Sequence, residues 1–225
     1  MDADSTTRKD AHQKILDAFK SRQIDILVGT QMIAKGLDFP NVTLVGVISA
    51  DTALNLPDFR AGERSFNLLT QVAGRSGRGN AGGEVIMQTY MPKHYSVQAS
   101  KTHDYLSFYR QEIAYREELS YPPLTHAATL LLRGEVETEV ISLAKLLLER
   151  LKTIQTQRFA DVEIRGPVPA PLSKIMGKFR WHFFLRHTSV ENVREFLRQA
   201  VYSDASPRIP TNIDMVVDID PVTVL

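Results

Sequence analysis

Two adjacent prolines, in Tyr121-Pro-Pro-Leu124, divide this chain. Proline lacks a backbone donor, and its ring pushes the residue before it out of helical geometry. Helix and strand both stop at such a pair, so a domain boundary is expected at residue 121. The 225 residues, 43% hydrophobic and 24% charged, suffice for one or two globular domains. Hydrophobic periodicity differs on the two sides of the boundary. On the N-terminal side, Lys9 to Lys20 has apolar residues at helical spacing (Ala11, Ile15, Leu16, Phe19). Ile24–Gly29 and Val42–Ile48 read as short buried strands, the second continuous enough in apolar character for a parallel strand covered on both faces. Phe66 to Ala73 reads as a helix that glycines break, and Glu84–Tyr90 as a third strand. Helices alternating with strands predict an α/β lobe over 1–91. It opens on a helix with only three strands to follow, so the lobe is expected to be cut short at its N-terminal side. Lys93 to Leu119 predicts a helical connector over 92–120.

Beyond the prolines, strands are expected at Ala127–Leu132, Val162–Arg165, Phe179–Leu185 and Ile213–Ile219, and helices at Glu135–Gln155 and Val190–Val201. The order β-α-β-β-α-β is the split βαβ, or ferredoxin-like, arrangement. The expected fold class is therefore a partial parallel α/β lobe followed by an α+β domain over 121–225.

The chemistry gathers at Gln71-Val-Ala-Gly-Arg-Ser-Gly-Arg78, which reads Q-x-x-G-R-x-x-R. Arg75 and Arg78, three apart among small residues, can reach one anionic point together. Guanidinium groups bind phosphate bidentately and are always charged. Such a pair suits a transferring γ-phosphate, although a solvated arginine-rich turn would show the same letters. The chain carries no G-x-x-x-x-G-K-[S/T] loop for the other phosphates, so the run reads as half of an ATP site. Gly74 and Gly77 read as points of close backbone approach and positive φ, or equally as plain loop glycines. Thr30 and Gln31 follow an expected strand end, where α/β folds place ligands, and can bond phosphate without reading sequence. Thr30 serves equally as a helix N-cap. Arg60, Glu63 and Arg64 form a charged group near a helix start.

Lys174, Lys178, Arg180, Trp181 and His182 combine cations with aromatics, as nucleic-acid surfaces do. Strand alternation puts Trp181, Phe183 and Leu185 on one face, suited to a core, and Arg180, His182 and Phe184 on the other. Arg180 is thus preferred to Trp181 as a ligand contact. Net charge is only +1, but residues 165–198 hold seven Lys/Arg against two Glu. With no cysteine, no disulfide or thiolate metal site forms, and the histidines lack metal-ligand spacing. No stretch approaches the roughly 20 apolar residues of a membrane span, and the first residues lack a signal-peptide core, so a cytoplasmic protein is expected.

Gly29-Thr-Gln-Met-Ile-Ala-Lys-Gly-Leu-Asp-Phe-Pro40 resembles motif V of superfamily 2 helicases, in the form found in the PriA family of replication-restart helicases. Asp58-Phe-Arg-Ala-Gly-Glu-Arg64 and Gln71–Arg78 resemble the blocks that follow, ending in motif VI. Gly166-Pro-Val-Pro-Ala-Pro171, Phe179-Arg-Trp181 and Asp218-Ile-Asp-Pro221 resemble that family's C-terminal domain, so the likeness spans essentially the whole chain. It implies an ATP-dependent 3′→5′ DNA helicase that binds stalled forks, is associated with the nucleoid, and works with other primosome proteins. This chain would supply most of its second RecA-like lobe and its C-terminal domain. The first lobe, its phosphate loop and a zinc module would lie upstream, so that ATP and Mg²⁺ are cofactors of the longer protein and this chain alone is inactive. By the resemblance, Arg78 is the arginine finger with Arg75 beside it, and Gln71 lies between ATP and the lobe interface. Gly36, Asp38 and Gly74 contact the nucleotide, although Asp38 before Phe39-Pro40 also fits an ordinary turn. Thr30, Gln31, Arg60, Arg64, Lys178 and Arg180 face DNA, forked or single-stranded. The acidic tail of single-strand-binding protein would find Arg194 and Arg198 on the last helix, a row that also fits a solvated face. The rival reading is a non-catalytic module for DNA or a protein tail, with a degenerate lobe. The intact arginine pair argues against it.

Overall fold

The computed structural model describes residues 11–30, 42–74 and 83–224. They fall into two compact units. The first holds the described residues through Leu56 together with Arg60–Glu112; the second holds Pro57–Phe59 and Ile113 onward.

In the first unit, α1 (Ala11–Lys20) buries Leu16. Strands β1 (Leu44–Val47) and β2 (Glu84–Met87) pair in parallel, from Leu44 opposite Glu84 to Val47 opposite Met87. Parallel strands require a crossover, and α2 (Ala61–Ala73) lies within it and contacts β1. The ladder continues past the strand ends, with Gln88 N–H donating to Val47 O at 2.9 Å and Ala50 N–H to Gln88 O at 3.0 Å. Ala50, Leu69 of α2 and Val97 of α3 (Tyr95–Lys101) close one small core. Phe66, Ala99 and Phe108 of α4 (Tyr105–Glu118) close another, with Phe66 and Phe108 stacked at 4.2 Å.

Three expectations change here. Ile24–Gly29 is not a strand: it runs irregular, with Ile26 77% and Val28 69% exposed. Apolar content supplies strand propensity, but a strand exists only where a neighbour completes its ladder, and no described strand pairs with this segment. β1 is half exposed in alternation rather than covered on both faces. The connector is two helices, because the Asp104 carboxylate accepts from Ser107 N–H at 2.9 Å and caps α4, while His103 takes a left-handed φ of 52°.

The second unit runs β3 (His126–Gly134), α5 (Glu137–Arg158), β4 (Glu163–Ile175), β5 (Lys178–His187), α6 (Val190–Val201) and β6 (Ile213–Ile219). Its sheet order is β4-β5-β3-β6, antiparallel throughout, which is the expected ferredoxin-like arrangement. Ala128, Leu130 and Leu132 of β3, with Phe183 and Leu185 of β5, meet Leu143, Leu147 and Leu151 of α5 and Phe196 and Leu197 of α6 in one buried core. β4 runs longer than its apolar letters suggest, through Gly166-Pro-Val-Pro-Ala-Pro171. An edge strand tolerates prolines where its ladder bulges, and the register shifts between Arg165 and Val168 and again between Pro169 and Lys174. Gly166 sits at φ 100°, where a Cβ would meet His182 O at 2.6 Å, so glycine is required there.

Candidate nucleotide and nucleic-acid interfaces

The helix α2 delivers the arginine-rich run. Leu69 and Phe66 bury one side of it, and their positions fix where its last turn, with Gln71, emerges. Gln71 and Gly74 are half-buried. Gly74 closes the helix, its N–H donating to Thr70 O at 3.1 Å. Its φ is −70°, not positive. An added Cβ would meet Thr70 O at 3.5 Å and Gln71 O at 3.7 Å, which are ordinary contacts. A left-handed turn at Gly74 is thus corrected to a helix end that other residues can adopt. Arg75 and Arg78 follow outside the described residues, as do Gln31, Gly36, Gly77 and Asp38. Thr30 is exposed at the end of an irregular segment.

Arg60 precedes α2 and Arg64 sits in its first turn, with Arg64 N–H donating to Arg60 O at 2.9 Å; both side chains are half-buried. Glu63 joins that turn, where the positive end of the helix favours a carboxylate. Beneath it, Tyr95 donates its hydroxyl proton to buried Glu112 at 2.6 Å. Sequence reasoning did not find Lys101 and His103. They line a groove of about 390 Å³ with Ala73, Val85 and Met87, beside the helix end that leads to Arg75. No motif spacing links residues 73 and 101; only α3, folded against α2, brings them together.

In the second unit, the basic segment occupies β5. Lys178 is 40% exposed and bonds Asp214 at 2.8 Å, and Arg133 reaches the same carboxylate oxygen at 3.2 Å. The hydrogen bond and charge of Lys178, then Arg133, hold the Asp214 carboxyl below the ordinary range. Arg180, at 9% exposure, is buried and donates to Leu172 O at 3.0 Å. Burial first, and Arg180 second, push the His182 imidazole down, so it stays neutral at pH 7 and adds no cation. Trp181 packs against the core, as alternation predicts, and points its N–H at Glu137, 3.3 Å away. Lys174 lies over the Phe179 ring at 4.2 Å. The accessible cation on this strand is therefore Lys178, with Arg180 set behind it. On α6, Arg198 grips Glu195 through two bonds of 2.7 Å; these and Gln199 take the Glu195 carboxyl to about 2. Arg194 is exposed on the same helix.

A parallel strand pair crossed by a helix whose sequence continues into an arginine-rich run, in a chain that also holds a ferredoxin-like domain, defines the class: a helicase C-terminal lobe with an appended α+β domain. Residues 2–80 match the helicase conserved C-terminal domain, and residues 117–222 match the primosomal protein N C-terminal domain. The chain is 47% identical over 199 residues to the replication restart protein PriA of Bacillus subtilis (strain 168), covering 88% of this chain and 24% of that one. It is 41% identical over 233 residues to the replication restart protein PriA of Synechocystis sp. PCC 6803, covering 99% and 26%. The replication restart protein PriA of Treponema pallidum (strain Nichols) is 40% identical over 213 residues, covering 95% and 32%. The chain belongs to the PriA family. It spans about a quarter to a third of the length of the curated relatives it matches. No helix among the described residues is long and apolar enough to cross a membrane.

Proposed function

We propose that this chain supplies half of the ATP site and a DNA-facing domain of an ATP-dependent 3′→5′ helicase that restarts replication at stalled forks. The observation that carries this reading is α2: a helix packed on a parallel strand pair, ending at Gln71 and Gly74 and feeding directly into Arg75-Ser-Gly-Arg78. When bound, ATP with Mg²⁺ supplies the phosphoryl group that water attacks. Arg78 and Arg75 neutralise the charge that develops on it, and Gln71 orients groups at its edge. Gly36 and Gly74 lie against the nucleotide, and the Asp38 carboxylate touches its ribose or the arginine pair. Lys101 and His103, beside the helix end, add donors to the same margin.

Forked or single-stranded DNA lies along Thr30, Gln31, Arg60 and Arg64 on the lobe and along Lys178, backed by Arg180, on the sheet. Lys178 exchanges its Asp214 bond for phosphate at little cost, since a solvent-exposed ion pair contributes little net stability. Arg194 is the exposed cation of α6 best placed for the acidic tail of single-strand-binding protein, because Arg198 already holds Glu195. Other primosome proteins complete the assembly, in the cytoplasm on nucleoid DNA. Zinc belongs to a part of the helicase that this cysteine-free chain does not include.

The test is Arg78→Ala in a complete PriA polypeptide. ATP turnover should fall by about 10³-fold or more while forked-DNA affinity holds. Unchanged turnover removes the finger from Arg78. The 225-residue chain alone should show no ATP hydrolysis above buffer, because it holds no phosphate loop. A steady hydrolysis rate that survives repurification would refute the half-site.

A further inference from the structure

The hairpin of β4 and β5 ends in a residue that its geometry does not favour. Ile175 pairs with Lys178, so Met176 and Gly177 alone make the turn. Both have positive φ, 48° and 81°. A two-residue hairpin turn of this kind, type I′, selects Asn, Asp or Gly at its first position, because a larger side chain is crowded there. This chain places methionine there, 99% exposed. An apolar side chain held in water at a disfavoured φ gains nothing from the fold itself. Its use lies in a contact with something else.

The turn stands clear of the sheet. β3 ends its pairing with β5 at Gly134 opposite Phe179, so the turn projects past the neighbouring strand. A Cβ added to Gly177 would meet nothing within 4 Å. Behind the tip the hairpin is braced. Residues 170–173 bulge from β4, between Pro169 opposite Trp181 and Lys174 opposite Phe179, and Arg180 holds the bulge by donating to Leu172 O at 3.0 Å. A cation flanks the tip on each face, since successive strand residues point to opposite sides. Lys178 shares one face with Asp214, 2.8 Å away. Lys174 lies on the other, over the Phe179 ring at 4.2 Å. Leu172 and Ile175 add exposed apolar surface beside them.

We propose that this hairpin tip is a wedge for forked DNA: Met176 enters the stack at the last base pair before the strands part, and Lys174 and Lys178 each take the phosphates of one diverging strand. The proposal rests on the DNA-face reading above. Methionine is among the apolar side chains that enter between base steps, and contacts on either side offset the lost stacking. Two backbones that separate around a tip need one cation on each face, which is the arrangement here. An apolar protein surface would meet Met176 with no use for a lysine on both sides, so the charges favour DNA.

The experiment uses a complete PriA polypeptide carrying Met176→Asn, Met176→Leu, Lys174→Ala or Lys178→Ala. The probe is a fork with the fluorescent base aminopurine in its junction pair. The readouts are aminopurine emission and affinity for the fork and for single-stranded DNA, without ATP. The parent should brighten the probe as the pair opens. Met176→Asn suits the turn, so the denaturation midpoint read from Trp181 should hold or rise. It should abolish the brightening and lower fork affinity by about fivefold, less than loss of an aromatic stack, while single-strand affinity holds. Met176→Leu keeps an apolar tip and should keep the brightening. Each lysine variant should weaken fork binding and reduce its salt dependence by about one phosphate contact. Brightening and fork affinity that survive Met176→Asn overturn the wedge, and the exposed methionine then serves a contact other than DNA. If Lys178→Ala weakens DNA binding but Met176→Asn changes nothing, only the wedge fails. If Lys178→Ala leaves fork and single-strand affinity unchanged, the DNA-face reading fails and takes the wedge with it.

Discussion

Gly62 shows how little space the start of α2 allows. A Cβ there would stand 2.4 Å from Tyr95 Oη, 2.8 Å from Glu112 Oε2 and 3.3 Å from Ser96 Oγ. The tyrosine cannot swing aside, because its ring stacks on His94 at 4.4 Å and on Phe108 at 5.8 Å. Gly62→Ala must therefore separate Tyr95 from Glu112 or displace the helix. It is expected to cost about 1–3 kcal/mol in urea denaturation followed on the first unit, as overpacking does elsewhere. A second residue of that unit responds to acid. Asp51 is buried and accepts from the Thr89 hydroxyl at 2.5 Å and from Tyr90 N–H at 2.9 Å, and these bonds hold its carboxyl below the ordinary range. A depressed carboxyl contributes stability that is complete above its unfolded pKa and lost as pH falls through the folded one. Protection of the Tyr90 amide from hydrogen exchange should therefore fade only below the ordinary carboxylate range. Asp51→Asn should remove that pH dependence while lowering protection at neutral pH; a profile that does not change on substitution would sink the assignment.

Among the elements, α6 is the one most fully written in the sequence. Apolar spacing places Val190–Val201 correctly, and Ser189 before it is an N-cap, accepting from Asn192 N–H at 3.3 Å. Ser189→Ala should cost about 1 kcal/mol of second-unit stability, read from the denaturant midpoint. β6 is legible for the same reason, since Ile213, Met215, Val217 and Ile219 repeat on one core face. Elements held by partners rather than by their own letters are not legible. Ile24–Gly29 has strand composition but no described pairing, whereas Pro-rich 166–171 lacks strand composition and is a strand because β5 lies beside it. The first turn of α2, Ala61-Gly-Glu-Arg64, carries no apolar repeat. Its helical start is marked by the Arg64 N–H to Arg60 O bond of 2.9 Å, and Gly62 within it leaves room for Tyr95 and Glu112. The candidate site divides in the same way. The residue types of Gln71 to Arg78 suggest phosphate chemistry in the sequence itself, while Lys101 and His103 come beside the end of α2 only through the fold. For Arg180 the alternation gave the right face, but the side chain's bond to Leu172 O depends on how far β4 extends, which the prolines conceal.

At the scale of the molecule, the two units carry unequal cores. The second buries one continuous cluster that includes Leu130, Leu132, Leu147, Leu151, Phe183 and Phe196. Among its described residues, the first gathers two small buried groups, around Leu69 and around Phe66, and leaves Ile26, Val28, Leu44, Ile48 and Ile86 exposed. Burial of apolar surface contributes about 25 cal/mol per Å², so the second unit should be the more stable. The chain should therefore not unfold in one step, and its single tryptophan makes this testable. Trp181 packs on the second unit's core, so its fluorescence reports that unit alone. Far-ultraviolet circular dichroism reports helices of both, including α2 and α3 of the first. On heating or in urea, the dichroism signal should begin to fall before tryptophan emission shifts, with a plateau or shoulder between the two changes. Coincidence of the two probes is the mark of a two-state transition. Superimposed curves would mean that the first unit is held by more than its own two small cores.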